Sequence, residues 1–391
     1  MAALLPRIKR LLGFGPKPPK PKKGPIREWI DAIVFAAGAA ILIRTFLVEA
    51  FMIPTASMER SLMVGDFLFV SKFHYGTRLP MAPLSFPFVH NTLPLSNTRS
   101  WLGWPRLPYL RLPGFMDVER NDVVVFNYPA DDINPTNPRL GPVDIPSLKE
   151  NYIKRCVAVP GDRFEIRQGQ VYIDGQVGWN PPELQNSYTI TTGKEGFNEL
   201  VLKEYGFRPL GDRNQNYMPL GTSGPGQMDY IFYMPTYLAD TFATWPFVKN
   251  VRRTVERMLD AQDPRMADYF GFDVHRYGWS LDNFGPLVVP KKGEPLALTP
   301  ENLTFYVRVI EAYEGHQVEL RDSTIYIDGQ PATSFTPALN YYFMMGDNRY
   351  NSQDSRYWGF VPEDHIVGKP LFVFFSRENG IRWNRIFKAI E

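Results

Sequence analysis

Ser57 and Lys154 are the residues of this 391-residue chain whose types and settings best suit nucleophilic chemistry. The serine lies in Ile53-Pro54-Thr55-Ala56-Ser57-Met58, just after the one long apolar run, and the lysine lies in Tyr152-Ile153-Lys154-Arg155. That second stretch is apolar and strand-like, so an ammonium group is costly there. Desolvation favours the neutral amine and lowers its pKa. A neutral lysine can take the proton of a serine hydroxyl, a way to run acyl transfer without histidine. Thr55 adds a hydroxyl that can donate to a developing oxyanion together with the Ser57 backbone N–H. Pro54, Phe51, Ile53 and Met58 hold the segment extended and supply apolar walls. The plainer readings are a serine that caps a helix and a lysine on a strand edge that points to water.

A third segment runs MGDNRYNSQDSRYWG from Met345 to Gly359. Asp354 and Arg356 suit an ion pair, and Ser352 suits a holder for the lysine amine. The borders are aromatic, with Tyr341-Tyr342-Phe343 before and Trp358-Gly359-Phe360 after. They favour a buried, hydrogen-bonded turn over a solvated loop.

Elements must bring these segments together. Trp29 to Val48 reads WIDAIVFAAGAAILIRTFLV, long enough as a helix for a bilayer core of about 30 Å. Asp31 and Arg44 fall near its ends, and Trp29 suits the interface. A cleaved secretory signal and a buried soluble helix compete with this reading, but the span runs straight into the serine segment, so an uncleaved signal-anchor is expected. Arg7, Lys9, Arg10, Lys17, Lys20, Lys22, Lys23 and Arg27 all precede it. The positive-inside rule then puts the N-terminus in the cytoplasm and the body on the outer side. Overall charge is only +2, which gives no field for nucleic acid. With one cysteine, Cys156, and five scattered histidines, neither a metal nor a cofactor is expected.

The body reads as mostly β. Phe67–Val70, Asp122–Phe126, Tyr152–Val159 and Leu371–Phe375 have strand composition, and Tyr172-Ile173-Asp174-Gly175-Gln176 recurs as Tyr326-Ile327-Asp328-Gly329-Gln330. Each copy predicts a strand that ends in a tight Asp-Gly turn. Ala239–Leu259 and Pro300–Tyr313 have helical periodicity. The expected organisation is a basic cytoplasmic tail over 1–28, the anchor over 29–48, a β catalytic domain in two parts over 49–176 and 321–391, and an inserted α+β region over 177–320. Leu79–Pro113, rich in proline and aromatics, is either a self-packed loop or a surface that dips into the outer leaflet.

Taken in order, these segments resemble bacterial type I signal peptidase, a membrane-bound serine protease of the Ser-Lys class. The resemblance is carried by IPTASM with Gly65-Asp66-Phe67, by Lys72-Phe73-His74-Tyr75-Gly76, by Asn121–Phe126, by YIKR with Pro160-Gly161-Asp162, and by GDNRYNSQDSRYWGFVP. It covers the anchor and about 49–76, 117–176 and 325–376. It implies Ser57 as nucleophile, Lys154 as general base and Thr55 as oxyanion donor, with Ser352, Asp347, Arg349, Asp354 and Arg356 in support. It implies that Phe51, Ile53, Pro54, Met58, Leu62, Val125, Tyr152 and Ile153 line shallow pockets for an Ala-X-Ala pattern. The implied substrates are signal peptides of exported preproteins, bound by β-augmentation at the inner membrane, near the translocon and in contact with lipid. Three departures stand out: Thr55-Ala56 for a common Ser-Gly, Glu59-Arg60 for a more apolar pair, and Tyr350 where aspartate is common. Two other readings compete. One is a catalytically silent relative that binds exported chains, which would not need Ser57, Lys154 and Ser352 together. The other is a Ser-x-x-Lys acylase, which fails because Met58-Glu59-Arg60 follows Ser57.

Overall fold

A computed structural model describes residues 24–86, 89, 93, 98–130, 145–208, 211, 212, 214–255 and 279–390. The chain divides into two compact units, one ending at Thr45 and one running from Phe46 to Glu391. The first holds α1 (Pro25–Phe46), 22 residues with no buried side chain, in which an 18-residue window has a mean hydropathy of 1.7. At 1.5 Å per residue it is about 33 Å long, enough to cross a bilayer core. Pro25 opens it, since a proline in the first turn loses no intrahelical bond. The helix therefore starts and stops earlier than the 29–48 read from hydropathy alone. The basic tail up to residue 23 lies outside the described residues.

The body is mostly β; among the described residues strand amounts to 36% against 20% helix. Its main sheet contains β1 (Val48–Met52), β2 (Asp66–Ser71), β3 (Val123–Asn127), β4 (Asn151–Ala158), β18 (Tyr341–Met345), β19 (Val361–Pro362), β20 (Ile366–Ser376) and β21 (Lys388–Ala389). The antiparallel order is β1-β2-β20-β3-β4-β18-β19, with β21 against β20. The four β-branched and aromatic runs read as strands correspond to β2, β3, β4 and β20, with Asp122 and Val159 each one residue outside.

A second sheet has β5 (Arg163–Arg167), β6 (Gln170–Ile173), β7 (Gln176–Val177) and β12 (Phe284–Val288). Asp174 and Gly175 turn β6 into β7 with φ of 53° and 79°, the left-handed pair of a type I′ hairpin. The echo repeats in β14 (Val318–Arg321), β15 (Thr324–Ile327) and β16 (Gln330–Pro331), where Asp328 and Gly329 have φ of 51° and 76°. A short pair joins β13 (Leu296–Ala297) to β17 (Ser334–Phe335).

The span 177–320 does two different things. Residues 186–253 build a lobe with its own sheet, β8 (Asn186–Thr192), β9 (Tyr217–Gly224), β10 (Gln227–Met234) and β11 (Val248–Arg253), together with α2 (Glu199–Glu204) and α3 (Thr236–Ala243). Its core is aromatic: Tyr188, Phe207, Tyr217, Phe232 and Phe242 pack with Ile190 and Leu202. Residues 284–310 instead share the core of the second sheet, where α4 (Leu303–Arg308) and the π turn Val309–Tyr313 pack with Phe164, Ile166, Phe343 and Phe360.

The helical periodicity over Pro300–Tyr313 is therefore real, but that over Ala239–Leu259 ends at Ala243. Residues 248–253 form a strand instead, and 256–259 lie outside the described residues. A register shift between Val248 and Asn250 lets both Val248 and Val251 pack on the lobe core. A bulged strand thus imitates helical spacing. In the Leu79–Pro113 segment, Trp101 packs with Ala82, Ile145 and Leu148, whereas Leu102, Trp104, Leu107, Leu110 and Leu112 stay exposed. Phe88 lies outside the described residues.

Candidate active site

β3 and β4 set the site. Val124 pairs with Lys154 and Phe126 with Tyr152, while Val123 pairs with Arg155 and Val125 with Ile153. Strand alternation sends Tyr152, Lys154 and Cys156 to one face and Ile153 and Arg155 to the other. Ser57 comes from a single 3-10 turn, Ala56–Met58, that follows β1. Leu62 N–H donates to Met58 C=O at 2.7 Å and Glu59 N–H to Ala56 C=O at 3.0 Å, which fixes the turn.

Lys154 Nζ and Ser57 Oγ are 2.7 Å apart, and the residues are 2% and 8% exposed. The amine also donates to Ile153 C=O at 3.0 Å and lies 5.5 Å from the centre of the Tyr152 ring. Burial lowers its pKa from 10.5 to about 8, against the pull of Asp354 and Asp347 toward the charged form. Thr55 is exposed and extended, at φ −132° and ψ 159°, and its hydroxyl caps no helix.

The polar segment 346–356 is a buried turn, as its aromatic borders suggested. Asp354 takes two hydrogen bonds from Arg356, at 2.9 and 2.8 Å, one from Gly346 N–H at 3.1 Å and one from Ser352 Oγ at 2.8 Å. Burial pushes the Asp354 carboxyl up, but Arg356 and these donors outweigh it and hold the carboxyl below its usual range. Asp347 accepts from Arg155 at 2.8 and 2.7 Å and from Ser61 Oγ at 2.6 Å. Arg349 donates to Gly346 C=O at 3.2 Å, and burial together with Arg356 lowers its pKa to about 10. The Ser352 hydroxyl donates to Asp354, while the amine donates to Ser57 Oγ and Ile153 C=O. Ser352 flanks the site through Gly346: a Cβ there would come within 2.6 Å of Ser57 C=O and 2.3 Å of Ser352 Oγ. The loop can approach the nucleophile only with glycine at that position.

Of the pocket residues, Phe51, Ile53, Met58, Leu62, Val125 and Ile153 gather in one cluster with Leu68 and Val70. Pro54 is exposed on the same segment. Tyr152 lies on the opposite face of β4, beside the amine, stacked on Tyr128 and edge-on to Trp358.

Sequence reasoning missed several members of the site. Arg155 carries the loop through Asp347, Asn348 N–H donates to Ser57 C=O at 3.0 Å, and Gln185 N–H donates to Asp347 C=O at 2.9 Å. An arginine beside Lys154 in an apolar strand was the available signal for the first, since a buried guanidinium requires a carboxylate.

A family model described as "Signal peptidase, peptidase S26" matches residues 26–206 and 336–375, which contain every one of the sequence-predicted site residues. The chain belongs to the signal peptidase family, peptidase S26. Signal peptidase I of Helicobacter pylori is 25% identical over 387 residues, covering 93% of this chain and 91% of the relative. That of Haemophilus influenzae is 26% identical over 387 residues, covering 93% and 76%. That of Pseudomonas aeruginosa is 31% identical over 247 residues, covering 59% and 72%. A signal peptidase of this family is a serine peptidase, and removal of signal peptides from exported preproteins is the activity that the membership supports. The apolar α1 marks this signal peptidase as membrane-anchored.

Proposed function

We propose that Ser57 is the nucleophile and Lys154 the general base of a peptidase that cuts signal peptides from exported preproteins after a small-X-small site. The observation that carries this reading is the 2.7 Å contact between Lys154 Nζ and Ser57 Oγ in a buried setting. With a pKa of about 8, about a tenth of the amine is neutral at pH 7. In that form its lone pair accepts the Ser57 proton across the same contact. As Oγ bonds to the scissile carbonyl carbon, the C=O electron pair moves onto oxygen, where the Ser57 N–H and the Thr55 hydroxyl donate. The tetrahedral species collapses by breaking the C–N bond, and the leaving amine takes its proton from the Lys154 ammonium. Water, deprotonated by the same amine, then hydrolyses the acyl-enzyme and restores Ser57.

Asp347, Arg349, Ser352, Asp354 and Arg356 act as the frame around this pair. Phe51, Ile53, Pro54, Met58, Leu62, Val125, Tyr152 and Ile153 form the shallow walls that admit small side chains. β1 ends the main sheet, and its outer edge offers a template for an extended substrate. The basic residues before α1 keep the N-terminus cytoplasmic and the body outside, where preproteins leave the translocon. Exposed Leu102, Trp104, Leu107 and Leu110 are the side chains that touch lipid.

The test is preprotein cleavage in detergent or vesicles. Ser57→Ala and Lys154→Ala each abolish cleavage without loss of fold, and Thr55→Val lowers kcat by about 10²–10³. Bulky residues in place of either small residue before the cut reduce kcat/KM. Wild-type turnover in Ser57→Ala or Lys154→Ala contradicts the dyad. A wild-type protein that binds preprotein and never cuts it favours the silent-binder reading instead.

A further inference from the structure

The turn that carries Ser57 is gripped from two sides. From the polar loop, Asn348 N–H donates to Ser57 C=O at 3.0 Å and Asn348 Nδ2 to Ala56 C=O at 3.1 Å. The other grip comes from the inserted lobe and from Gln185, the residue just before β8. Glu59, only 2% exposed, pairs through Oε1 with Arg208 Nη2 at 3.1 Å. Gln185 Nε2 donates to Glu59 C=O at 3.0 Å. Arg60 follows with φ of 72°, a left-handed conformation that costs an arginine energy and persists only where the surroundings enforce it. Its guanidinium donates to Tyr205 C=O at 2.7 Å and lies 5.6 Å from the centre of the Phe207 ring. Gln185 also ties the two grips together, since its N–H donates to Asp347 C=O at 2.9 Å and its C=O accepts from Arg349 N–H at 3.2 Å.

A seam that served stability alone would be apolar, because buried ion pairs seldom outperform well-packed side chains. Here Glu59 Oε2, Arg60 Nε, Gln185 Oε1 and Arg208 Nε are all buried without a hydrogen-bond partner among the described residues. Each such atom costs stability. What the seam supplies in return is fixed geometry, applied two residues beyond the nucleophile. Arg208 and the Tyr237 hydroxyl that meets Arg60 at 3.4 Å lie outside the segments matched by the family model. Gln185 and Tyr205, by contrast, lie within the matched segment 26–206, so the grip combines matched residues with residues of the lobe beyond them.

We propose that Arg208 of the inserted lobe and Gln185, the residue just before it, are positioning residues of the peptidase that hold Glu59 and so aim Ser57 at its base and at the scissile carbonyl. The inference rests on Ser57 being the nucleophile. Arg208 touches no reacting atom and acts through Glu59; Gln185 acts through the backbone of Glu59 and Asp347.

Full-length protein in detergent is compared as wild type, Ser57→Ala, Arg208→Ala, Glu59→Gln and the Glu59→Gln/Arg208→Ala pair, with rates expressed per folded molecule from near-ultraviolet circular dichroism. Arg208→Ala and Glu59→Gln each lower kcat by about ten- to a hundredfold, with KM held within about twofold, because a nucleophile displaced by a fraction of an ångström still binds substrate. The double variant is no slower than the slower single one, since both changes break the same link. Glu59→Gln preserves shape and decides the matter if Arg208→Ala does not fold. Wild-type kcat in folded Glu59→Gln overturns the proposal, as does a fully additive loss in the double variant. Ser57→Ala separates the two possible failures. If it still cleaves, the nucleophile is misassigned; if it is dead while Glu59→Gln is fully active, only the positioning role falls.

Discussion

The 346–356 loop and the lobe seam both bury charge beside Ser57, yet they satisfy it differently. In the loop, both oxygens of Asp354 and both of Asp347 are paired, and Asp354 stays ionised although fully buried. In the seam, Glu59 has one oxygen on Arg208 and one with no partner. Burial pushes its carboxyl above the usual range, and Arg208 only partly offsets this. A closed network serves as a rigid wall, and its charges keep the lysine amine in a defined field. An incompletely paired seam costs stability and persists where position matters more than cohesion. The two neighbours on β4 differ in the same way: Lys154 meets Ser57 and a carbonyl and burial lowers its pKa, while Arg155 is locked to Asp347.

The largest expected effect breaks the loop. Asp354→Ala leaves Arg356 buried and uncompensated, a loss of about 3–5 kcal/mol in urea unfolding, accompanied by loss of cleavage. A cost within about 1 kcal/mol would mean that the loop is not the frame.

Next comes Lys154→Met. The folded pKa of about 8 lies below the ordinary value of 10.5, so between these values the unfolded chain binds more protons and stability rises with pH. Below about pH 8 the native state carries the full cost of a buried ammonium. At pH 7 the methionine variant is therefore more stable by about 3 kcal/mol while inactive, and the wild type recovers the difference as pH climbs. Urea unfolding at neutral and alkaline pH checks this, and a wild type that loses stability on the way up would contradict it.

The smallest stability effect is expected in the seam. Glu59→Gln removes a charge that burial already disfavours and leaves Arg208 paired with Glu378 at 2.6 Å, so no charge is left uncompensated and unfolding changes by less than about 1 kcal/mol. A penalty as large as that of Asp354→Ala would erase the contrast between loop and seam.

Much of this was legible in the sequence, and the limits have physical causes. The main-sheet strands announce themselves through β-branched and aromatic runs, and both Asp-Gly turns through the left-handed conformation those residues tolerate. Lys154 was legible because an ammonium in an apolar strand is anomalous. The partner of Arg155 was not, since Asp347 lies 192 residues away and either of two aspartates in the loop could have served. A hydroxyl such as that of Ser352 suits an amine or a carboxylate equally, and only the fold shows that its proton goes to Asp354. The strand at 248–253 was hidden by its bulge. The seam was unreadable, because nothing local in Glu59 or Arg208 reveals a pairing set by how the lobe packs.

The central claim, that a neutral Lys154 amine deprotonates Ser57, is tested most directly by the pH dependence of kcat/KM for preprotein cleavage by the full-length protein. The account predicts a rate that climbs about tenfold per pH unit below a limb near about 8 and levels above it, as the amine loses its proton. A rate that stays flat from about pH 6 to about pH 10 would contradict a lysine base.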